Sequence, residues 1–226
     1  MGGNAQSNME LNQISIYRMI HIENIPHVLK HGITHRNSPN KNEKFVTIGD
    51  VSLIDLRSTK SVQVDNGDFQ NINAPSIILG DFIPFYFGTR MPMLYVMQNG
   101  GNFVERATPA QDIVYLKCLL VDVISSCKSY FFSDVHATDK YVTFYDKSKL
   151  EDLPTLIDWN AVKSSYWGGE ENLNIKRKKQ AEFLVSDDVP SKCITAFGCY
   201  NEIAKQKLVA FGIEASKIKL IPKEYF

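Results

Sequence analysis

Glu182 stands directly before the apolar run Phe183-Leu184-Val185 and shortly after four consecutive cations, Lys176-Arg177-Lys178-Lys179. A carboxylate at the mouth of a buried strand loses hydration, and only partners can offset that loss. One partner set is structural, a salt bridge to Arg177 or Lys178. The other is chemical: a carboxylate facing a cationic centre, such as the oxocarbenium-like sugar formed when a glycosidic bond breaks. The residue pattern leaves both open. Four further groups could share in chemistry: Arg18 and His21, where a strand runs into a helix; Arg57, inside a polar segment; and His136, in a turn. Singly, each has a plainer reading, since a lone histidine is commonly a hydrogen-bonded structural group and an arginine commonly makes a weak surface ion pair.

The usual signatures of other chemistries are missing. The chain contains no G-x-x-x-x-G-K-[ST], no G-x-G-x-x-G, no G-x-S-x-G and no H-E-x-x-H. Its four cysteines, Cys118, Cys127, Cys193 and Cys199, form no zinc-type pair, so free thiols and no metal are expected. Lys plus Arg and Asp plus Glu both number 25, which excludes a globally basic nucleic-acid binder and leaves local patches to meet any polyanion. Both ends of the chain are basic and the middle acidic. No apolar stretch approaches the roughly twenty residues of a membrane span, and the N-terminus lacks a secretory pattern, so a soluble cytoplasmic protein is expected.

With 226 residues, 44% of them hydrophobic, the chain can bury a sizeable core in one domain. Residues 14–21 read as a strand feeding a short amphipathic helix over 23–31 that stops at Gly32. Residues 34–80 are polar and nearly aperiodic, which predicts a mobile functional loop or lid. Residues 82–87 and 93–97 read as two buried strands around a turn at 88–92. A short helix is expected at 109–112, a strand or helix at 113–121, a turn region at 129–138, and an amphipathic helix over 155–166 ended by Gly168-Gly169. A strand at 182–185, a helix at 200–211 and a last strand at 218–221 complete an irregular α+β order.

Four segments carry a resemblance to a known family. They are Ile16-Tyr17-Arg18-Met19-Ile20-His21-Ile22-Glu23-Asn24, Gly80-Asp81-Phe82-Ile83-Pro84-Phe85-Tyr86-Phe87, Arg90-Met91-Pro92-Met93-Leu94-Tyr95 and Lys178-Lys179-Gln180-Ala181-Glu182-Phe183-Leu184-Val185. Together they resemble the DarT family, toxins of the ADP-ribosyltransferase superfamily that modify bases in single-stranded DNA. The resemblance runs from Ile16 to about Tyr225. It implies a single-domain ADP-ribosyltransferase-like fold over 14–226, with a central split pair of β-sheets flanked by helices, behind a flexible N-terminal extension at 1–13.

It also implies NAD as co-substrate, with Glu182 as catalytic glutamate and Arg57 as catalytic arginine on an element that orders when NAD binds. Arg18, His21, Asn24 and Met93 fall in the cofactor-binding positions, although the family commonly has His where Arg18 stands. His136, Lys176 and Arg177 fall near the DNA site, with Lys176 where the family can have Arg. The implied partners are single-stranded DNA and a macrodomain antitoxin, with no membrane and a monomeric state. Two other functions stay in view: the same transfer to RNA or protein, and a non-catalytic nucleic-acid or NAD-binding module.

Overall fold

The computed structural model describes residues 9–101, 104 and 106–226. Of the expected N-terminal extension, residues 1–8 lie outside these. Leu11–Gln13 forms a short 3-10 helix, and Met9 and Leu11 pack against the main core.

Ten strands are described: β1 (Ser15–His21), β2 (Ser61–Gln63), β3 (Ser76–Ile78), β4 (Ile83–Tyr86), β5 (Ile113–Leu119), β6 (Tyr130–Ser133), β7 (Phe144–Tyr145), β8 (Glu182–Val185), β9 (Ile194–Cys199) and β10 (Ile218–Leu220). Around them lie the helices α1 (Ile25–His31), α2 (Val51–Thr59), α3 (Pro92–Asn99), α4 (Leu120–Ser126), α5 (Leu153–Leu156), α6 (Trp159–Lys163), α7 (Leu173–Lys178) and α8 (Glu202–Ala210). Eight strands form one sheet in the order β10-β9-β5-β1-β4-β8-β6-β7, and β2 and β3 form a separate hairpin. The main sheet is nearly divided. β1 pairs with β5 at every residue, and β4 pairs with β8 along its length, yet β1 and β4 meet at the single pair Tyr17 and Tyr86. The mixed fold with a split sheet is therefore the one expected, and the split takes the form of a seam with one closure.

β8 lies between β4 and β6, and all four of its residues are buried, as a near-continuous apolar run requires. Glu182 is consequently fixed at the seam end of a central strand. The other key element is held differently. α2 begins where the Asp50 side chain accepts a hydrogen bond from the Leu53 amide (3.1 Å), and it buries no residue fully. Contacts near its end anchor it: the Lys60 carbonyl accepts from the Leu79 amide (3.0 Å), and Lys60 Nζ donates to the Thr138 carbonyl (2.8 Å).

Gly80 makes this approach possible, because a Cβ there would lie 2.7 Å from Ser58 Cα and 2.8 Å from the Ser58 carbonyl oxygen. Gly80→Ala must therefore push the end of α2 away from the sheet. The expected result is a stability loss of roughly 1–3 kcal/mol in a urea melt. It comes with a fall in any activity that depends on Arg57, one residue before the contact.

Several elements differ from the sequence-based expectation. The expected strand at 93–97 is α3: Pro92 sits in its first turn, and Leu94 and Met97, three residues apart, are buried on one face. The single helix expected over 155–166 is two, α5 and α6. Ile157 is extended between them, and the Asp158 side chain starts the second by accepting from the Ala161 amide. Residues 113–121 are both alternatives in succession, β5 and then α4, and the expected turn region 129–138 opens with β6. The polar segment 34–80 holds α2 and the β2–β3 hairpin. All four cysteines are free, with Cys118, Cys193 and Cys199 buried. Among the described residues no helix is long and apolar enough to cross a membrane, and no group of three or more His, Cys, Asp or Glu side chains is placed to hold a metal ion.

Candidate active site

Because β1 and β4 run antiparallel, the residues after Tyr17 and before Tyr86 open on the same side of their pair. A cleft lies there in two chambers. The outer chamber, about 450 Å³, is lined by Arg18, His35, Arg36, Phe45, Arg57 and Pro84, among others. The inner one, about 160 Å³, shares Arg18, Phe45, Arg57 and Pro84 and adds Tyr86, Met93, Met97 and His136. Arg18 Nη1 donates to the Pro84 carbonyl (2.8 Å) and so bridges the seam where strand pairing has stopped. Burial and the nearby Arg57 cation push the Arg18 guanidinium down to about 10, which leaves it charged at neutral pH.

Glu182 is fully buried beside the inner chamber, and its side-chain partners come from two elements. From α2, Arg57 Nη1 donates to Oε1 at 3.1 Å and lies 2.9 Å from Oε2. From the turn after β6, the Ala137 amide donates to Oε1 at 2.9 Å, and His136 Nε2 stands 3.5 Å from the same oxygen. The work is uneven. Oε1 takes the well-aligned hydrogen bonds, while among the described residues Oε2 is in ionic contact with Arg57 but receives no aligned donor, and Arg57 Nη2 is buried with no acceptor. Buried polar atoms left unpaired are rare, and here one acceptor and one donor sit on facing residues. Beside them, burial and the Glu182 carboxylate raise the Tyr86 phenol well above its ordinary range, so it stays neutral.

The tautomer of His136 follows from its neighbours. The Thr138 amide donates to Nδ1 (3.3 Å), so the proton of the neutral ring is on Nε2 and points toward Glu182. Burial holds the His136 pKa below 6.5, with Glu182 opposing and Arg57 adding to the shift. The native chain thus refuses a proton that the unfolded chain accepts below about pH 6.5. Stability should fall as pH drops from about 6.5 toward the native value and be unaffected by this group above it. His136→Gln is expected to flatten that part of a Tm-versus-pH curve; an unchanged slope would exclude the assignment.

Of the residues singled out from sequence, Glu182, Arg57, His136, Arg18 and Met93 meet in or around this cleft. Asn24 is buried behind it, with its side chain donating to the Val46 carbonyl (2.8 Å) and accepting from the Val46 amide (2.9 Å). It ties down the strap that contributes Phe45 and Thr47. His21 is not among the lining residues; its Nδ1 accepts from the Glu23 amide at the start of the turn before α1. The basic run is mostly engaged elsewhere. Arg177 makes two hydrogen bonds to Asp139, both 2.9 Å, Lys178 pairs with Asp158 (3.0 Å), and Lys179 is buried. Neither Arg177 nor Lys178 is the partner of Glu182. Lys176 is exposed, with its ammonium 5.5 Å over the Trp167 ring. Sequence reasoning passed over Tyr86, Phe45 and the Ala137 amide. Tyr86 could have been found by alternation, since it ends a strand whose buried residues, Ile83 and Phe85, point the other way.

Comparison with known proteins gives a consistent set of likenesses. The family described as "ssDNA thymidine ADP-ribosyltransferase, DarT" matches residues 17–226. A DNA ADP-ribosyl transferase of Thermus sp. (strain 2.9) is 30% identical over 189 residues, 83% of this chain and 81% of that protein. The fold superposes on Thermus sp. 2.9 DarT in complex with ADP-ribosylated ssDNA with a TM-score of 0.75 at 24% identity, covering 94% of this chain and 96% of the other. The same protein in complex with NAD+ gives a TM-score of 0.70 at 24% identity, covering 94% and 98%.

Proposed function

The chain belongs to the DarT family of single-stranded-DNA thymidine ADP-ribosyltransferases, and on that premise we propose that it transfers ADP-ribose from NAD to a thymidine base in single-stranded DNA. The observation that carries the assignment to this cleft is the pair of buried atoms without an aligned hydrogen-bond partner among the described residues, Glu182 Oε2 and Arg57 Nη2. NAD carries its ADP-ribosyl group on a cationic pyridinium nitrogen and releases neutral nicotinamide as that C–N bond breaks, while the acceptor base gives up a proton. The outer chamber, with Arg18, Arg36 and Arg57 on its walls, suits the diphosphate-linked part of such a molecule. The smaller inner chamber, walled by Tyr86, Met93 and Met97, suits its flat aromatic end.

Within that frame, Glu182 Oε2 accepts a ribose hydroxyl and sets negative charge where positive charge develops as nicotinamide leaves. Arg57 Nη2 donates to a phosphate or to the carbonyl of the incoming base. His136 and the Ala137 amide act as positioning groups that hold Oε1 and so aim Oε2. Asn24 positions the strap over the outer chamber, and His21 shapes the entry to α1. On the DNA side, Lys176 meets a backbone phosphate, while Arg177 braces the turn containing Asp139. The reading carries with it a cytoplasmic, monomeric toxin neutralised by a macrodomain antitoxin.

The deciding experiment incubates the protein with NAD and mixed-sequence single-stranded oligonucleotides and weighs the products. A gain of one ADP-ribose located on thymidine supports the proposal. Release of nicotinamide with no gain on DNA would move the acceptor to RNA, protein or water.

A further inference from the structure

The seam has a second mouth. On the opposite side of the Tyr17 and Tyr86 pair, the residues before Tyr17 and after Tyr86 diverge around another cavity of about 520 Å³, lined by Ser15, Gly88 and Thr89 from the two strand ends. α6 closes its wall at close range: a Cβ on Gly88 would lie 2.8 Å from Val162 Cγ1 and 3.0 Å from the Val162 carbonyl oxygen.

Its floor is a buried cation. Lys179 is 1% exposed, and its ammonium makes one hydrogen bond among the described residues, to the Val162 carbonyl at 2.8 Å. An ammonium has three donors, so two are left over. Burial pushes this group down to about 8, with the Glu224 carboxylate opposing the shift and the Arg90 cation adding to it. At the rim, Lys163 and Lys223 are exposed and make no ion pair among the described residues. Glu224, an acidic residue in the lining, already accepts from the Thr89 hydroxyl (2.5 Å). Arg90 is occupied with the carbonyls of Ser165, Lys223 and Tyr225 and holds the surrounding loops together. Tyr17, Phe87 and Trp159 add ring surface to the wall. A buried donor-rich cation below two unpaired lysines, next to aromatic rings, calls for an anion attached to a body of nucleotide size.

We propose that this second mouth binds a phosphate group carried by a nucleotide-sized ligand, with Lys179 at the floor and Lys163 and Lys223 at the rim. The phosphate comes from a free nucleotide or from the backbone of a nucleic-acid strand. The site is separate from the Glu182 cleft and does not depend on the transfer reaction.

Calorimetric titration of the full chain tests it with two probes, dTMP and an abasic deoxyribose-phosphate oligomer of about ten units. Each is titrated into the unmodified protein, the double variant Lys163→Gln/Lys223→Gln, and Lys179→Met. At least one probe is expected to bind and to lose roughly tenfold in affinity in the variants. A loss confined to dTMP identifies a free nucleotide, and a loss with the oligomer identifies a strand. The proposal is overturned if neither probe binds, or if the double variant binds both as well as the unmodified protein. Lys163 and Lys223 are exposed, so the double variant decides the matter even where Lys179→Met does not fold.

Discussion

Glu182→Gln will lower ADP-ribosyl transfer to DNA by about 1,000-fold while leaving the fold in place. The amide is the same size as the carboxylate, and its oxygen can still accept from Arg57 Nη1 and the Ala137 amide, which now hold Oε1 at 3.1 and 2.9 Å. What disappears is the negative charge at Oε2, the oxygen left without an aligned donor. The loss should therefore appear in the rate under saturating NAD and in single turnover, with little change in NAD affinity. Stability should fall by roughly 1–3 kcal/mol, because Arg57 loses its counter-charge in a largely enclosed place. Activity within about tenfold of the unmodified protein would remove Glu182 from the chemistry.

The second large effect separates the two nitrogens of Arg57. Arg57→Ala leaves the Glu182 carboxylate buried without its cation, and breaking such a pair costs about 3–5 kcal/mol. Because α2 buries no residue fully, the helix should also loosen, and proteolysis between residues 41 and 60 should quicken. Arg57→Lys restores one cation at the Nη1 position and supplies nothing at Nη2. The expected outcome is stability within about 1 kcal/mol of the original, together with loss of transfer of about 100-fold. A lysine variant that recovers both would show that Arg57 is needed only as a counter-charge.

Much of this site was legible before the fold was known, and the part that was not has a clear physical origin. A carboxylate before Phe183-Leu184-Val185 has to be an unusual carboxylate, and Glu182 proves to be fully buried. Its partner could not be read locally. The cations nearest in sequence, Arg177 and Lys178, sit at the end of α7 and are spent on Asp139 and Asp158, while the partner used is Arg57, 125 residues away. The run that looks like a free basic patch is three-quarters consumed, because Arg177 and Lys178 are paired and Lys179 points into the protein, which leaves Lys176 exposed. In the polar segment 34–80 low hydrophobicity predicts a loop. α2 forms there without an apolar face, through its Asp50 cap and the contacts around Lys60 and Gly80. Short apolar runs such as residues 93–97 fit either period, and the proline ahead of them was the signal for a helix.

A sheet whose halves share one ladder pair resembles two plates on a single pin, with the Arg18–Pro84 hydrogen bond as a stay beside it. Twisting one plate against the other would break no ladder except that of Tyr17 and Tyr86, though it would strain that hydrogen bond. The pin also fixes where strain is felt: the two tyrosines stand at the fulcrum, and Glu182, the register partner of Tyr86, rides on the nearest point of the moving plate.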